Sequence, residues 1–264
     1  MSAFPIHDSG PVWPTHAYQG QDRFVLESLN GLRGGFFLDS GAANGVRGSN
    51  TLLLERDYGW NGICVEPNDA MYDDLIAHRR CLCYHCCLND RDGEVEFLES
   101  GGVFGGMLQT YSSSHLAFAR RMIAQADPEL RNPSLHRLGH ALPADPQATV
   151  VKPGRTIRSI LDASGAPPVI DYWSLDTEGS ELALLQSFPF DAYRFRVLTV
   201  EHNSEPVRWD IRRLLEARGY VLAREMGIDD GYIHSDDCRI DGWHRDDGGS
   251  RDDAWRSAAW RSRR

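Results

Sequence analysis

Four short apolar runs, each closed by an acidic residue, constrain the fold of this chain more than any other feature. They are Phe36-Phe37-Leu38 before Asp39, Ile63-Cys64-Val65 before Glu66, Val169 to Leu175 before Asp176, and Arg196 to Val200 before Glu201. Runs this short and apolar suit central parallel strands covered on both faces. Segments with helical spacing separate them: Gln21 to Leu32, Asn50 to Asp57, Ala70 to Arg79, His115 to Ala126, Thr156 to Ala163, Glu181 to Ser187 and Trp209 to Arg218. Cys81 to Leu88 reads as one further strand, Gly93 to Leu98 as another, and Thr149 to Val151 as a short one. The glycine-rich Gly101 to Gly106 reads as a loop, and Asp127 to Gln147, rich in Pro, His and Asn, as a loop or lid. Tyr220 to Glu225 and Asp230 to His234 read as a closing antiparallel pair. This alternation implies an α/β fold: a mostly parallel twisted sheet, helices on both faces, and an antiparallel C-terminal edge. Ligands on such sheets sit beyond the carboxyl ends of the strands, where the strand order switches. The acids that close the strands are therefore the residues to follow.

A length of 264 residues is enough for one large domain or two small ones, and 41% hydrophobic content can bury a sizeable core. We expect a single domain over 1–240, with an insert or lid at about 101–155. The tail at 241–264 mixes Asp, Arg, Gly and Ser, and its charge argues for a flexible segment. A formal net charge of −10 argues against a nucleic-acid partner, which demands clustered Lys and Arg. No apolar run approaches the roughly 20 residues that cross a bilayer. The N-terminus lacks the pattern of a signal peptide, so a cytoplasmic location is expected. Four of the six cysteines crowd into Cys81 to Cys87. The spacing lacks a second ligand pair at a zinc-finger distance, and a buried strand is the stronger reading.

The first strand runs into Asp39-Ser40-Gly41-Ala42-Ala43-Asn44-Gly45. Small residues let backbone approach a ligand, and glycine accepts positive φ. The dinucleotide fingerprint is absent, and an acid closes the strand instead. A carboxylate at Asp39 repels a pyrophosphate and favours a cation, such as the amino group or sulfonium of S-adenosylmethionine. Glu66, closing the second strand, is placed to accept hydrogen bonds from ribose hydroxyls. No G-x-S-x-G or P-loop motif supports a serine hydrolase or an NTPase.

Several of these motifs, in this order, resemble the FkbM-like methyltransferases. The resemblance rests on Phe37-Leu38-Asp39-Ser40-Gly41-Ala42, Ser49-Asn50-Thr51 with Leu54-Glu55, Gly59 to Pro67, and Ile170 to Glu181 followed by Leu184-Leu185. Gln21-Asp22 ahead of the first strand also fits. It covers roughly Tyr18 to His234, with Gly101 to Arg155 poorly matched. It implies a Rossmann-like methyltransferase fold, S-adenosylmethionine as methyl donor, and a hydroxyl of a small molecule, such as a sugar or secondary metabolite, as acceptor. Asp39, Gly41, Ala42, Gly45, Asn50, Glu66, Pro67, Asn89 and Asp176 are then the expected cofactor contacts.

An alcohol is a weak nucleophile at neutral pH, so a base or a metal must act on its proton. His202 is the expected base, with Asp176 beside the methyl group and Glu178 as the alternative base. A divalent cation such as Mg²⁺ is the other arrangement, held by Asp176, Glu201 and either His202 or Asn203. Glu181 reads as a helix-start acid. Trp13 and Tyr18 fold over the cofactor or belong to the core. His115 or His136 joins the acceptor site if the insert is a lid. Arg120, Arg121, Arg131, Arg137, Arg155 and Arg158 give the insert a basic character, open to an anionic acceptor or to plain solvation. Methylation of a carboxylate or amine, and a catalytically silent binding module, stay as alternatives. The small-molecule acceptor is the expected partner, with a homodimer left open.

Overall fold

All four apolar runs become inner strands of one sheet. The computed structural model describes residues 13–125, 149–203 and 206–238. The strands are β1 (Phe36–Ser40), β2 (Asn61–Val65), β3 (Leu82–Tyr84), β4 (Cys87–Leu88), β5 (Gly93–Phe97), β6 (Val150–Arg155), β7 (Val169–Leu175), β8 (Arg194–Glu201), β9 (Tyr220–Met226) and β10 (Asp229–His234). The helices are α1 (Gln21–Ser28), α2 (Leu52–Tyr58), α3 (Asp69–His78), α4 (Ser113–Gln125), α5 (Ile157–Ser164), α6 (Glu181–Ser187) and α7 (Val207–Ala217). The main sheet has seven strands in the order β3-β2-β1-β7-β8-β10-β9. Its first five strands are parallel, and β10 runs antiparallel to both β8 and β9. The fold is a Rossmann-like α/β arrangement, with the antiparallel edge where the sequence placed it.

Side-chain alternation divides the core into two layers. Leu38, Ile63, Val65, Trp173, Leu175 and Leu198 face one layer, which α5, α6 and α7 cover through Ile160, Leu161, Leu184, Leu185, Ile211 and Leu215. Phe37, Cys64, Tyr172 and Val197 face the other, which α1, α2 and α3 cover through Phe24, Val25, Leu53, Leu54 and Leu75. Strands buried on both faces need apolar residues at successive positions, which explains the continuous runs.

Two expectations change. Cys81 to Leu88 is not one strand: β3 joins the main sheet, while β4 pairs with β6 in a separate sheet of order β4-β6-β5. Tyr84 closes β3 by accepting from the Glu66 N–H, and the exposed His85 stacks on Tyr72 at 4.3 Å between the two strands. Gly101 to Gly106 is likewise partly ordered, within a 3-10 turn at Glu99–Phe104. The expected lid at 127–147, His136, and the tail at 241–264 lie outside the described residues. No helix of the described residues is long and apolar enough to cross a membrane.

Trp173 ties β7 to β1. It is fully buried beside Phe195, and its indole N–H donates to Ser40 Oγ at 2.9 Å. Trp173→Ala should cost about 3–5 kcal/mol of stability, as large-to-small core changes do. Urea unfolding reads this directly; a loss below about 1 kcal/mol would contradict the packing described.

Candidate active site

The carboxyl ends of β1, β2, β7 and β8 open into one cavity of about 620 Å³. The chain runs outward through β1, β2 and β3 on one side and through β7 and β8 on the other, so the cavity lies at the reversal of strand order. Asp39, Gly41, Ala42, Asn50, Glu66, Pro67, Asp176, Glu178 and Glu201 all line it, as does Tyr18. Trp13 does not; it packs with the core beneath α1 and α2.

Gly41 makes this convergence possible. Its φ is +78°, and an added Cβ would stand 1.8 Å from the Asp176 carbonyl oxygen. Glu66 is held firmly: its two oxygens accept from the Ala43 N–H at 2.8 Å and the Asn68 N–H at 2.7 Å. Burial still pushes its carboxyl up to about 7, because those two donors only partly offset desolvation. Asp39 accepts from the Thr51 hydroxyl at 2.6 Å. Thr51 in turn accepts from Arg79 at 2.8 Å, and Arg79 also donates to Glu55 at 2.6 Å. Burial raises the Asp39 carboxyl, while Arg79 and Thr51 act against that rise. A protein cation thus already serves part of the charge at Asp39. Asn50 donates to Ser174 Oγ at 2.9 Å, bridging the loop after β1 to β7.

Three expected contacts fall elsewhere. Gly45 does not line the cavity; a Cβ there would meet Leu75 at 2.5 Å and Arg79 at 2.8 Å, so its role is packing against α3. Asn89 is also absent from the lining and bonds to the Arg91 carbonyl and to Gln109, while Cys87 and Leu88 reach the cavity in its place. His202 does not reach the cavity either. It is buried beside Asp230, with Nε2 3.7 Å from Oδ1, and Arg208 holds that Asp230 with two bonds of 2.7 Å. A base must reach the proton it takes, and here His202 is turned to Asp230 and does not line the cavity. Asn203 lies in the turn after β8 at φ +49° and is not part of the lining.

Glu178 takes the place expected for His202. Asp176, Glu178 and Glu201 each offer a carboxylate oxygen, and the three lie within 4.8 Å of one another. Burial pushes all three carboxyls up; the charge of Glu178 adds to the rise of Asp176, those of Asp176 and Glu178 to the rise of Glu201, and that of Glu181 to all three. Glu201 Oε2 is buried without a hydrogen-bond partner. Glu178 stands at φ +58°, an uncommon conformation for a non-glycine residue and one that marks functional turns. Its Oε2 meets His115 Nε2 at 2.9 Å. Glu181, by contrast, accepts from the Thr177 and Gly179 N–H groups and fixes the turn before α6.

Sequence reasoning missed Asp229 and underused Gln21. Both line the cavity, and Gln21 Nε2 donates to Asp229 Oδ2 at 3.2 Å. Burial pushes Asp229 up to about 6, against the pull of His202 and Gln21. A hairpin acid carries no local signal of this role; its position opposite Glu201 in the β8–β10 register supplies it.

The family profile described as methyltransferase FkbM domain matches residues 39–222. No match was found among curated proteins. Among solved structures, a putative RNA methyltransferase from Pyrococcus horikoshii is similar at 12% identity and a TM-score of 0.38, over 82% of each chain. The METTL16 methyltransferase domain is similar at 10% identity and 0.42, over 85% of this chain and 70% of that one. A precorrin-6y C5,15-methyltransferase from Geobacter metallireducens is similar at 8% identity and 0.38, over 80% of this chain and 85% of that one.

The raised carboxyls fix a pH dependence. A carboxyl whose folded-state pKa exceeds its unfolded value stabilises the fold through its protonated form. That contribution is whole below the unfolded value and lost as pH rises through the folded one. Glu66 moves from 4.5 to about 7 and Asp229 from 3.8 to about 6. The ligand-free protein should therefore lose thermal stability as pH rises through this window, and Glu66→Gln should flatten the slope. Calorimetric melting across the window tests this. A wild-type melting temperature that climbs throughout it, or a slope that Glu66→Gln leaves unchanged, would contradict the burial described.

Proposed function

The chain belongs to the methyltransferase FkbM family, and from that premise we propose that it moves the methyl group of S-adenosylmethionine to a hydroxyl oxygen of a small molecule. That the chain is an S-adenosylmethionine-dependent methyltransferase follows from the family; the acceptor and the division of labour in the site are our reading. Gly41, Ala42, Asn50, Glu66 and Pro67 form the cofactor end, with Glu66 toward the ribose. Asp39 holds the loop through Thr51 and adds negative potential where the cofactor carries its cationic groups. Asp176, Glu178 and Glu201 form the acceptor end.

The observation that carries this reading is the meeting of three buried carboxylates at one point. Such a group must either hold protons or hold a cation. Hard oxygen donors in that number suit a divalent ion such as Mg²⁺, and the partnerless Glu201 Oε2 fits a ligand atom. Bound there, the ion would lower the pKa of an acceptor hydroxyl. Glu178, steadied by His115, is the group placed to receive the proton that the hydroxyl loses. Alignment of sulfur, carbon and oxygen supplies much of the remaining acceleration. A carboxylate acceptor is disfavoured, since it would enter beside Asp176, Glu178, Glu201 and Asp229. An amine acceptor would need no cation, which separates it from the favoured reading.

Two measurements test the proposal. Exhaustive EDTA treatment should abolish turnover on a hydroxyl acceptor, and Mg²⁺ should restore it; full activity after EDTA would rule out the cation. Glu201→Gln should lower kcat by roughly 10²–10⁴-fold, the scale of lost proton or charge stabilisation. Its affinity for S-adenosylmethionine should change little. Unaltered kcat in that variant would remove Glu201 from the acceptor end.

A further inference from the structure

The cysteines that methyl transfer leaves unused form a cluster beside the cofactor site. Cys64 lies within β2, in register with Asp39 of β1 on one side and with Cys83 of β3 on the other. Registered neighbours present their side chains to the same face of a sheet. Cys81, just ahead of β3, brings its Sγ to 3.5 Å from the Cys64 Sγ. The Cys83 Sγ lies 3.6 Å from the Cys81 carbonyl oxygen. Access differs among them: Cys64 and Cys81 are buried, whereas Cys83 is partly exposed. Paired strands run about 4.8 Å apart, so the Cα atoms of Cys64 and Cys83 fall in the range of roughly 4.4–6.8 Å that a disulfide spans.

We propose that Cys83 is an oxidisable thiol: a hydroperoxide converts it to a sulfenic acid, Cys64 closes it to a disulfide across β2 and β3, and the bond weakens cofactor binding. In the first step the Cys83 thiolate attacks one peroxide oxygen. The O–O bond breaks, the sulfur loses two electrons, and hydroxide leaves and is protonated to water. In the second step the Cys64 sulfur attacks the sulfenic sulfur. The S–S bond forms, the S–O bond breaks, and the oxygen departs as water with the Cys64 proton. Two thiols and one hydrogen peroxide thus give one disulfide and two waters, and a dithiol reductant reverses the change.

The surroundings favour Cys83 as the point of attack. Hydrogen bonds from Cys64 and Cys81, with the charge of Arg79 beyond them, pull its thiol well below the usual range. Burial pushes Cys86 up to about 12 and Cys238 up to about 11, and Cys64 and Cys87 also rise through burial. The link to the cofactor is short. Cys64 precedes Glu66 by two positions and lies in register with Asp39. Arg79, whose charge acts on all three thiols, bonds to Ser49 and Thr51 in the loop after β1. A disulfide between Cys64 and Cys83 would turn the buried Cys64 side chain away from its contact with Cys81, within the strand that leads to Glu66.

The test uses the full-length protein titrated with hydrogen peroxide, alkylated, and mapped by mass spectrometry without reduction. Calorimetry with S-adenosylmethionine follows on the same samples. The expected result is a Cys64–Cys83 disulfide with cofactor affinity lowered several-fold, both reversed by dithiothreitol. Cys83→Ser should bind cofactor as the wild type does and should lose both responses to peroxide; Cys238→Ser should keep both. The proposal is overturned if no disulfide containing Cys64 and Cys83 forms, if the disulfide leaves affinity unchanged, or if Cys83→Ser responds as the wild type does.

Discussion

The cavity depends on how closely the ends of β1 and β7 approach. At Gly41 the two chains meet as backbone against backbone, and no side chain larger than hydrogen fits against the Asp176 carbonyl. The Asp176 N–H donates to the Ser40 carbonyl at 3.2 Å, and Trp173 reaches across to Ser40 Oγ. These contacts close the switch point of the sheet. They set the loop after β1 beside the acids that end β7 and β8, so one space can hold both a methyl donor and its acceptor. Were the strands splayed by a side chain at position 41, Glu66 and Asp176 would belong to separate surfaces.

Within that space the electrostatics are one-sided. Asp39, Glu66, Asp176, Glu178, Glu201 and Asp229 all line it, and Arg47, the one Lys or Arg that lines it among the described residues, is exposed. The two ends handle their charge differently. Backbone N–H groups hold Glu66, and Thr51 with Arg79 holds Asp39. At the acceptor end His115 meets Glu178, and Glu201 keeps an oxygen with no hydrogen-bond partner. Such a field favours a sulfonium and a metal ion and opposes an anionic acceptor. Among the described arginines of the basic group, Arg120 and Arg121 are exposed on α4, Arg155 faces Asp92, and Arg158 pairs with Asp162 at the surface; Arg131 and Arg137 lie outside the described residues.

The sequence made the frame legible because burial on both faces writes itself as continuous apolar runs, and each run ends where the cavity begins. The residues proposed for the cofactor end stand out for the same reason: Asp39, Gly41 and Glu66 are local to strand ends, and all three line the cavity. Gly45 was misjudged because a positive φ marks a backbone shape without saying what lies beside it; here it is α3. His202 lies away from the cavity because the residue after a strand end can turn to either side, and here it faces Asp230, which Arg208 holds. Glu178, considered as a base, meets the metal-type cluster through a left-handed backbone that its sequence does not announce. His115 and Asp229 arrive from distant segments, through α4 and the β8–β10 pairing, which only tertiary structure brings together.

The central claim is a single cavity with a nucleoside end at Glu66 and a cation-binding acceptor end at Asp176, Glu178 and Glu201. A crystal structure with S-adenosylhomocysteine and Mn²⁺, read by anomalous diffraction at the manganese edge, tests it most directly. The account predicts the ribose hydroxyls on Glu66, the homocysteine sulfur facing Asp176, and one anomalous peak among the three carboxylates. Cofactor bound away from Glu66, or fully ordered cofactor with no peak between those carboxylates at saturating manganese, would contradict it.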